Sequence, residues 1–196
     1  MPSLRVATLN IHKGLSHFNR RMVIHELREG LRALDADIVF LQEVQGLNER
    51  HALRFAHWPG TPQHEFLAEG QWQHAYGCNS VYDHGHHGNA ILSRFPIRTL
   101  ANRDVSNHRF ERRGLLHCEI EVPGAPQPVH AVCVHLSLHE RGRRIQLAAL
   151  GEHLGGLVAA ADPLIVAGDF NDWRHAASRS LSASLGLQEV SIESSG

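Results

Sequence analysis

The sequence of 196 residues contains only three cysteines, Cys78, Cys118 and Cys133, and none belongs to a Cys-x-x-Cys motif. An odd number at these spacings argues against a disulfide framework and against a zinc ribbon. Cys118 and Cys133 lie in apolar runs, so we expect both in the core. The absence of structural disulfides is typical of a reducing compartment, and we therefore expect a cytoplasmic protein.

Long apolar stretches and an excess of either charge are also missing. No run approaches the roughly 18 apolar residues of a membrane-spanning helix, and the first predicted strand begins at Leu4, which leaves no room for a signal peptide. The 19 Lys and Arg nearly balance the 20 Asp and Glu, for a net charge of -1. No general affinity for nucleic acid is therefore indicated, and any polyanion site must be local.

Linkers, low-complexity tracts and detectable repeats are absent as well, so we expect residues 1–196 to form a single domain with a sizeable core. Histidine, by contrast, is abundant, with 17 residues. Most should lie on the solvated surface, where they would add positive charge below about pH 6.5. His84, His86 and His87 are numerous enough for a metal site, but adjacent histidines rarely bind one ion together, so we favour a loop or substrate-edge role.

The spacing of apolar residues predicts strands that alternate with helices and hairpins. We predict strands at 4–9, 38–42, 75–82, 89–93, 115–122, 129–134 and 164–168, and helices at 20–34, 48–56, 140–157 and 173–185. Residues 83–88 should form a loop and 123–126 the turn of an antiparallel hairpin, whereas 63–72 is ambiguous. This mixture predicts an α/β (α+β) fold in which helices lie outside packed sheets.

Polar residues follow three of the predicted strands, and they are the most informative feature of the chain. Asp169 and Asn171 come directly after a short apolar run, while Asn10 follows the first strand and Glu43 follows the second. Because α/β sheets place ligands at the carboxyl ends of their strands, we expect these side chains to face one site. The combination of carboxylates and carboxamides indicates a site for a divalent cation and a phosphate.

Each of these residues also has a plainer interpretation. Glu43 could be a water-exposed carboxylate, Asn10 a turn former and Asp169 the N-cap of the next helix. His135, at the end of the strand 129–134, could stabilise a developing negative charge, or it could simply bond to the backbone. Considered singly, none of these residues decides between the two interpretations.

Two further residues could contact phosphate. Asn89 opens the strand 89–93, where it could face a phosphate or merely belong to a hairpin turn. Arg113 precedes the strand 115–122 and could reach a phosphate oxygen. An arginine in such a place more often belongs to a solvated face, so Arg113 alone is weak evidence.

The order of these residues resembles the endonuclease/exonuclease/phosphatase superfamily, which has the DNase I-like fold. The matching motifs are Thr8-Leu9-Asn10-Ile11-His12, Leu41-Gln42-Glu43-Val44, Gly88-Asn89-Ala90-Ile91-Leu92-Ser93, Val134-His135-Leu136 and Ala167-Gly168-Asp169-Phe170-Asn171-Asp172. The resemblance covers roughly residues 4–190. Three longer strings look most similar to the bacterial YbhP-type branch, namely Asn10-Ile11-His12-Lys13-Gly14, His86-His87-Gly88-Asn89 and Asp169-Phe170-Asn171-Asp172-Trp173.

The resemblance implies a four-layer sandwich of two packed, mixed β-sheets flanked by helices. It also implies hydrolysis of a phosphodiester or a phosphomonoester by in-line attack of water, with Mg²⁺, or Mn²⁺ in its place, as the cofactor. Glu43 would be the principal metal ligand, with Asn10 beside it. The substrates that the resemblance allows include nucleic acid and phospholipid headgroups.

The same motifs imply roles for the remaining residues. Asp169 would orient or activate the attacking water, Asn171 would bind the scissile phosphate, and His135 would stabilise charge on the phosphorus or the leaving group. Asn89 and Arg113 would hold the substrate phosphate. All these roles are implied by the resemblance and not by the spacing of the residues.

The chain departs from the family pattern at its C-terminal end. The family's terminal Ser-Asp-His motif, whose Asp-His pair prepares the nucleophile, does not occur in this sequence. We therefore expect a domain that is truncated at its C-terminus and lacks the last strands, with an exposed sheet edge through which the protein could self-associate. The alternative to an active enzyme is a catalytically inactive remnant that still binds metal or phosphate.

Overall fold

The computed structural model describes residues 3–16, 18, 20–107, 111–172 and 176–190. Its strands are β1 (Val6–Asn10), β2 (Ile38–Asn48), β3 (Gln73–Tyr82), β4 (Gly85–Ser93), β5 (Ile97–Asp104), β6 (Gly114–Ile120), β7 (Val129–His135) and β8 (Leu164–Asp169). Its helices are α1 (Ile24–Ala33), α2 (Glu49–Arg54), α3 (Gln63–Ala68), α4 (Glu140–Gly155) and α5 (Ala176–Leu185). A short 3₁₀ turn at His12–Gly14 follows β1.

The strands form two four-stranded sheets. In the first sheet the order is β1-β2-β4-β3, with β1 parallel to β2 and the other neighbours antiparallel. In the second sheet the order is β5-β6-β7-β8, with β7 parallel to β8 and the other neighbours antiparallel. Each sheet therefore contains one parallel pair, whose carboxyl ends can present side chains to a common site.

The two sheets pack face to face, and helices cover their outer faces. Phe40 and Ile91 of the first sheet meet Leu116 and Cys133 of the second in a central apolar layer. Apolar side chains of α1 and α3 cover the outer face of the first sheet, and those of α4 and α5 cover the second. The predicted four-layer sandwich of two mixed sheets flanked by helices is confirmed, as is the core position of Cys133.

The buried strands owe their position to their apolar content. Every residue of β7 is buried, as expected for a strand that has neighbours on both sides and a packed layer on both faces. Side chains alternate along β6, where Leu116 and Cys118 face the central layer while Leu115 faces α4 and α5. The predicted hairpin of β6 and β7 is confirmed by their antiparallel pairing.

Two strands are longer than predicted. β2 continues through Glu43 to Asn48, although its predicted end was residue 42. β4 begins at Gly85, so the predicted loop at 83–88 was wrong for its last four residues. The extensions are rich in polar residues and glycine, but they pair with each other, as Gln45 does with His87. Such pairing stabilises strands whose composition does not favour them.

β5 was not predicted at all. Its residues are largely polar and more than half of them are exposed, as is common for the edge strand of a sheet. The segment 63–72, which was ambiguous in the sequence, contains α3 and is therefore partly helical. α1 begins at Ile24, four residues after the predicted start at residue 20. α5 begins at Ala176, while Trp173, with which the predicted last helix began, lies outside the described residues.

β1 and β8 are edge strands, and each lacks a second strand partner among the described residues. Val6 and Leu9 of β1 are 38% and 37% exposed, and all residues of β8 are half-buried. An open sheet always has two edge strands, so the expected exposed edge and self-association through it both stay predictions. No described helix is long and apolar enough to cross a membrane.

Candidate active site

Four of the predicted residues meet at one end of the sandwich, which we call the mouth and define by Asn10, Glu43, His135 and Asp169. Asn10, His135 and Asp169 end β1, β7 and β8, and Glu43 lies in β2. Asn10 Nδ2 donates to Glu43 Oε1 at 3.3 Å and to Asp169 Oδ2 at 3.2 Å. One amide therefore holds carboxylates from both sheets next to each other.

The sequence had predicted that Glu43 follows the end of its strand. In the structure Glu43 instead occupies a β-bulge within β2, which continues to Asn48. The register between β2 and β4 shifts between Leu41 and Val44, and Glu43 has a φ of 55°. This left-handed conformation costs a residue other than glycine about 1–3 kcal/mol, and such residues are enriched at functional sites. The bulge takes Glu43 out of the regular alternation of the strand, so that its side chain can reach the mouth.

Two basic residues of the 3₁₀ turn flank Glu43. Lys13 Nζ lies 3.6 Å and His12 Nδ1 lies 3.9 Å from Glu43 Oε2. Burial raises the pKa of Glu43, but the Lys13 charge and the Asn10 hydrogen bond outweigh it, so the pKa is lowered overall. Glu43 is therefore ionised at neutral pH, as a metal ligand must be. Sequence reasoning missed this role of Lys13, although its position shortly after Asn10 was an available signal.

His135 is buried beside Asp169, with only 7% of its surface exposed. Burial and the Arg113 charge lower the pKa of His135 to about 4, against the opposing influence of Asp169 and Glu43. Its Nε2 lies 3.7 Å from Asp169 Oδ2, which is beyond hydrogen-bonding distance. At pH 7 this neutral imidazole can donate one hydrogen bond and accept another without adding charge.

Gly168 and Asn171 fix the position of Asp169. Gly168 has a φ of 147°, and a Cβ there would lie 1.9 Å from Val134 O, so only glycine allows β8 to approach β7 so closely. Asp169 Oδ1 accepts from Asn171 N at 3.0 Å, and Asn171 Nδ2 donates to Leu136 O at 2.9 Å. The second oxygen of Asp169, Oδ2, is left to face the mouth.

Asn89 and Arg113, two of the residues predicted to bind phosphate, are placed differently. Asn89 is 2% exposed, and its Nδ2 donates to Gly114 O at 2.9 Å and to Cys133 O at 3.4 Å. It ties the sheets together behind the mouth, and its phosphate role stays a prediction. Arg113 lies near the mouth, since its charge acts on His135.

A carboxylate that sequence reasoning missed holds Arg113 in place. Arg113 Nη2 donates to Glu111 Oε1 at 3.0 Å. Glu111 also accepts from Ser137 Oγ at 2.6 Å and from Leu138 N at 3.2 Å. Burial raises the pKa of Glu111, but these hydrogen bonds and the Arg113 charge lower it overall. Glu111 belongs to no strand-end pattern, so nothing in the sequence indicated its role.

The oxygen donors at the mouth fit Mg²⁺ better than zinc. Within the described ranges, no three side chains of His, Cys, Asp or Glu are arranged to hold a metal ion. Glu43 and Asp169 offer carboxylate oxygens, and the Asn10 amide lies between them with its Nδ2 turned to both. Mg²⁺ is commonly held by one or two carboxylates and keeps several of its waters, whereas zinc sites favour His and Cys. The residues present therefore fit a Mg²⁺ ion.

A four-layer sandwich with these residues at its mouth defines a protein of the DNase I-like class. The sequence matches the model of the Endonuclease/Exonuclease/phosphatase family over residues 7–193, and the chain belongs to this family. It is 49% identical over 195 residues to the "Uncharacterized protein YbhP" of Escherichia coli strain K12, and the match covers 99% of this chain and 77% of that protein. The predicted resemblance to the family and to its YbhP-type branch is confirmed.

Solved structures share the fold. An endonuclease/exonuclease/phosphatase from Beutenbergia cavernae DSM 12333 is 26% identical with a TM-score of 0.66, over 87% of this chain and 48% of that one, so this chain spans about half its length. Sphingomyelinase C from Streptomyces griseocarneus is 18% identical with a TM-score of 0.64, over 94% and 70% of the two chains. The human Nocturnin catalytic domain, with a bound sulfate anion, is 19% identical with a TM-score of 0.66, over 92% and 69%. The last two likenesses show the fold alone.

Proposed function

We propose that this chain is a divalent-metal-dependent phosphoesterase that hydrolyses a phosphodiester or a phosphomonoester by in-line attack of water. The observation that carries this proposal is the Asn10 amide, which joins Glu43 and Asp169 across the two sheets. Two carboxylates and the neutral imidazole of His135 supply groups for metal binding, water activation and charge stabilisation. Membership of a family of phosphoester hydrolases supports the same reaction class.

Glu43, with Asn10 beside it, would hold Mg²⁺, or Mn²⁺ in its place. When bound, such an ion supplies Lewis-acid stabilisation of the charge that develops on the phosphate and a template that orients it. Asn10 Oδ1 accepts from His12 N at 3.1 Å, and this bond fixes the amide in the orientation that meets both carboxylates. The 3₁₀ turn thereby sets the geometry of the metal ligands.

Asp169 and His135 would manage the proton and the developing charge. Asp169 Oδ1 accepts from Asn171 N, and Oδ2 accepts from Asn10 Nδ2 at the mouth. A carboxylate oxygen has a second lone pair, with which Oδ2 would orient the attacking water and accept its proton. His135 is neutral at pH 7, so it would donate a hydrogen bond to an oxygen of the phosphate or of the leaving group. Neither role requires the two side chains to bond directly to each other.

The proposed substrate is a phosphate ester of nucleic acid, of a phospholipid headgroup or of a small molecule. Binding of a long polynucleotide gains from many basic contacts, whereas this chain has a net charge of -1. Among the described residues, Lys13 and Arg113 are the cations whose charges act on His87 at the mouth, and two positive charges match the charge of one phosphate group. This balance favours a small ester or a headgroup over an extended polynucleotide.

The test compares the wild type with Glu43→Gln on bis(4-nitrophenyl) phosphate and on 4-nitrophenyl phosphate, with Mg²⁺ or Mn²⁺. Glu121→Gln is the matched control, because Glu121 is exposed and follows the far end of β6. We expect metal-dependent turnover that falls at least about a hundredfold in Glu43→Gln and is unchanged in the control. Full turnover in Glu43→Gln would contradict the proposal, and a folded wild type without any metal-dependent turnover would favour the inactive binding remnant.

A further inference from the structure

Two buried polar atoms near the mouth have no hydrogen-bond partner among the described residues. They are His87 Nδ1 and Arg113 Nε. Buried polar atoms in folded proteins are nearly always satisfied, and each exception needs an explanation, such as a missing ligand. The roles proposed for Asn10, Glu43, Asp169 and His135 involve neither of these two atoms.

Strand geometry places His87 beside His135. In β4, Ile91 and Asn89 face the opposing sheet, and Asn89 Nδ2 reaches Cys133 O at 3.4 Å. Because side chains alternate along a strand, His87 is the next residue of β4 on this face, one step closer to the mouth. His135 is the corresponding next residue of β7 after Cys133. The two imidazoles therefore border the same space between the sheets.

The charges that act on His87 agree with this position. Its pKa responds to Lys13, Glu43, His135 and Arg113, which come from both sides of the mouth. Burial first, and then the Lys13 charge, lower the pKa of His87 to about 4, against the opposing influence of Glu43. The ring is therefore neutral at pH 7, and each of its nitrogens can take part in one hydrogen bond.

The preceding residue, His86, makes structural contacts that His87 lacks. His86 Nδ1 bonds to Tyr76 OH at 3.0 Å, and a Cβ on Gly46 would lie 2.0 Å from His86 Cε1, so the ring packs directly over Gly46. The ring of His87 contacts Tyr82 at a centroid distance of 5.8 Å and has no hydrogen bond to a described residue. The contacts with Tyr76 and Gly46 account for the position of His86. The buried Nδ1 of His87, by contrast, has no hydrogen-bond partner among the described residues.

Arg113 borders the same space with a fixed guanidinium. Its side chain is 14% exposed, and its Nη2 is held by Glu111 at 3.0 Å. The next residue, Gly114, accepts from Asn89 Nδ2 at 2.9 Å, so Arg113 enters β6 beside Asn89, which lies next to His87 on this face of β4. Its charge also acts on both His87 and His135. A planar guanidinium matches phosphate oxygens in geometry and forms charge-assisted hydrogen bonds with them.

We propose that His87, together with Arg113, binds a non-bridging oxygen of the substrate phosphate. The inference rests on the proposed function and deepens it, because it adds a catalytic residue to which no motif assigned such a contact. His87 donates an uncharged N–H to the phosphate, and Arg113 supplies the positive charge. The bound phosphate, with its waters, would satisfy polar atoms that the fold leaves without partners.

The experiment measures the binding of inorganic phosphate in the presence of Mg²⁺ by isothermal titration calorimetry. We expect His87→Ala to raise the Kd for phosphate about tenfold or more, while His86→Ala, the matched control on the same strand, stays within about twofold of the wild type. Binding of Mg²⁺ alone should be the same in His87→Ala and in the wild type. His87→Asn and His87→Gln place an amide near Nδ1 and Nε2 respectively, so rescue by one of them identifies the nitrogen that contacts phosphate.

Two results would overturn the proposal: equal phosphate affinity in the wild type and in His87→Ala, or no phosphate binding by the wild type. Phosphate binding without turnover would instead contradict the proposed function and leave the His87 contact standing. Thermal unfolding of every variant separates lost binding from lost folding. Where His87→Ala fails to fold, His87→Phe, which keeps a ring and removes both nitrogens, carries the same comparison.

Discussion

Two groups of buried or half-buried histidines in this protein differ in what their ring nitrogens contact. Between the second sheet and α4, His153 Nε2 lies 3.0 Å from His117 Nδ1, and His117 Nε2 lies 2.9 Å from His130 Nδ1. We call these three residues the histidine chain. At the mouth, by contrast, the rings of His87 and His135 make no hydrogen bond to any described residue.

The comparison shows that a lowered pKa alone does not mark a functional histidine. Burial is the first cause in both places, and it lowers the pKa of His117 and of His87 to about 4. At one end of the histidine chain Arg103 Nη1 lies 3.3 Å from His153 Nδ1, and at the other end His130 Nε2 lies 3.8 Å from Asp162 Oδ2. Both ring nitrogens of His117 and of His153 are therefore hydrogen-bonded, whereas His130 uses its Nδ1. What distinguishes the residues of the mouth is unused hydrogen-bonding capacity, which a ligand can take up.

The largest effect that would sharpen this comparison is expected from His135→Ala. It should lower kcat/KM for a phosphodiester about a thousandfold, or ~4 kcal/mol of barrier, because charge in the transition state loses a positioned hydrogen bond. Initial rates with Mg²⁺ measure this loss. The free energy of unfolding should fall by less than in His117→Ala, since the ring of His135 makes no hydrogen bond within the described fold and its removal costs packing alone; a large drop in stability with full activity per folded molecule would contradict the assignment.

His117→Ala should have the opposite consequence. The substitution opens a cavity and removes the His117 ring to which His130 and His153 bond. We therefore expect the free energy of unfolding to fall by ~3 kcal/mol. Urea denaturation measures the change, with His139→Ala as the control because His139 is exposed. Turnover per folded molecule should equal that of the wild type, and a catalytic defect in folded His117→Ala would break the distinction between the two groups.

Acid should weaken the fold through the same histidine chain, with a smaller effect. Because the pKa of His117 is lowered to about 4 by burial, the unfolded chain takes up the proton first as the pH falls below about 6.5. The contribution of His117 to stability is therefore complete above about pH 6.5, and ~1.5 kcal/mol of it is lost by about pH 5. Denaturation curves at several pH values give the free energy of unfolding as a function of pH. Between about pH 6.5 and pH 5 this free energy should fall less steeply in His117→Ala than in the wild type, and an equal slope in both would contradict the prediction.

The sequence predicted the mouth well because its residues follow a pattern that chain order preserves. Asn10, His135 and Asp169 end strands whose apolar runs are continuous, and parallel pairing then brings strand ends together. Glu43 was found for the same reason, although it sits in a bulge and its strand continues to Asn48. A bulge depends on the register between two strands, which no single strand encodes.

The residues that sequence reasoning missed depend on contacts between distant segments. Glu111 supports Arg113 only because Ser137 and Leu138 hold its carboxylate, and these lie in a different part of the chain. For His87 the sequence favoured a loop or substrate-edge role, and its position within a strand became visible only through the pairing of β4 with β2. Such contacts are set by tertiary packing and leave no local pattern in the sequence.

We propose that His135 serves catalysis whereas His117 serves stability. The direct test measures Mg²⁺-dependent phosphodiester hydrolysis per folded molecule for the wild type, His135→Ala and His117→Ala in parallel. We expect turnover in the wild type and in His117→Ala, and its loss in His135→Ala, at a temperature where all three are folded. Equal loss in both variants, or no metal-dependent turnover in a folded wild type, would contradict it.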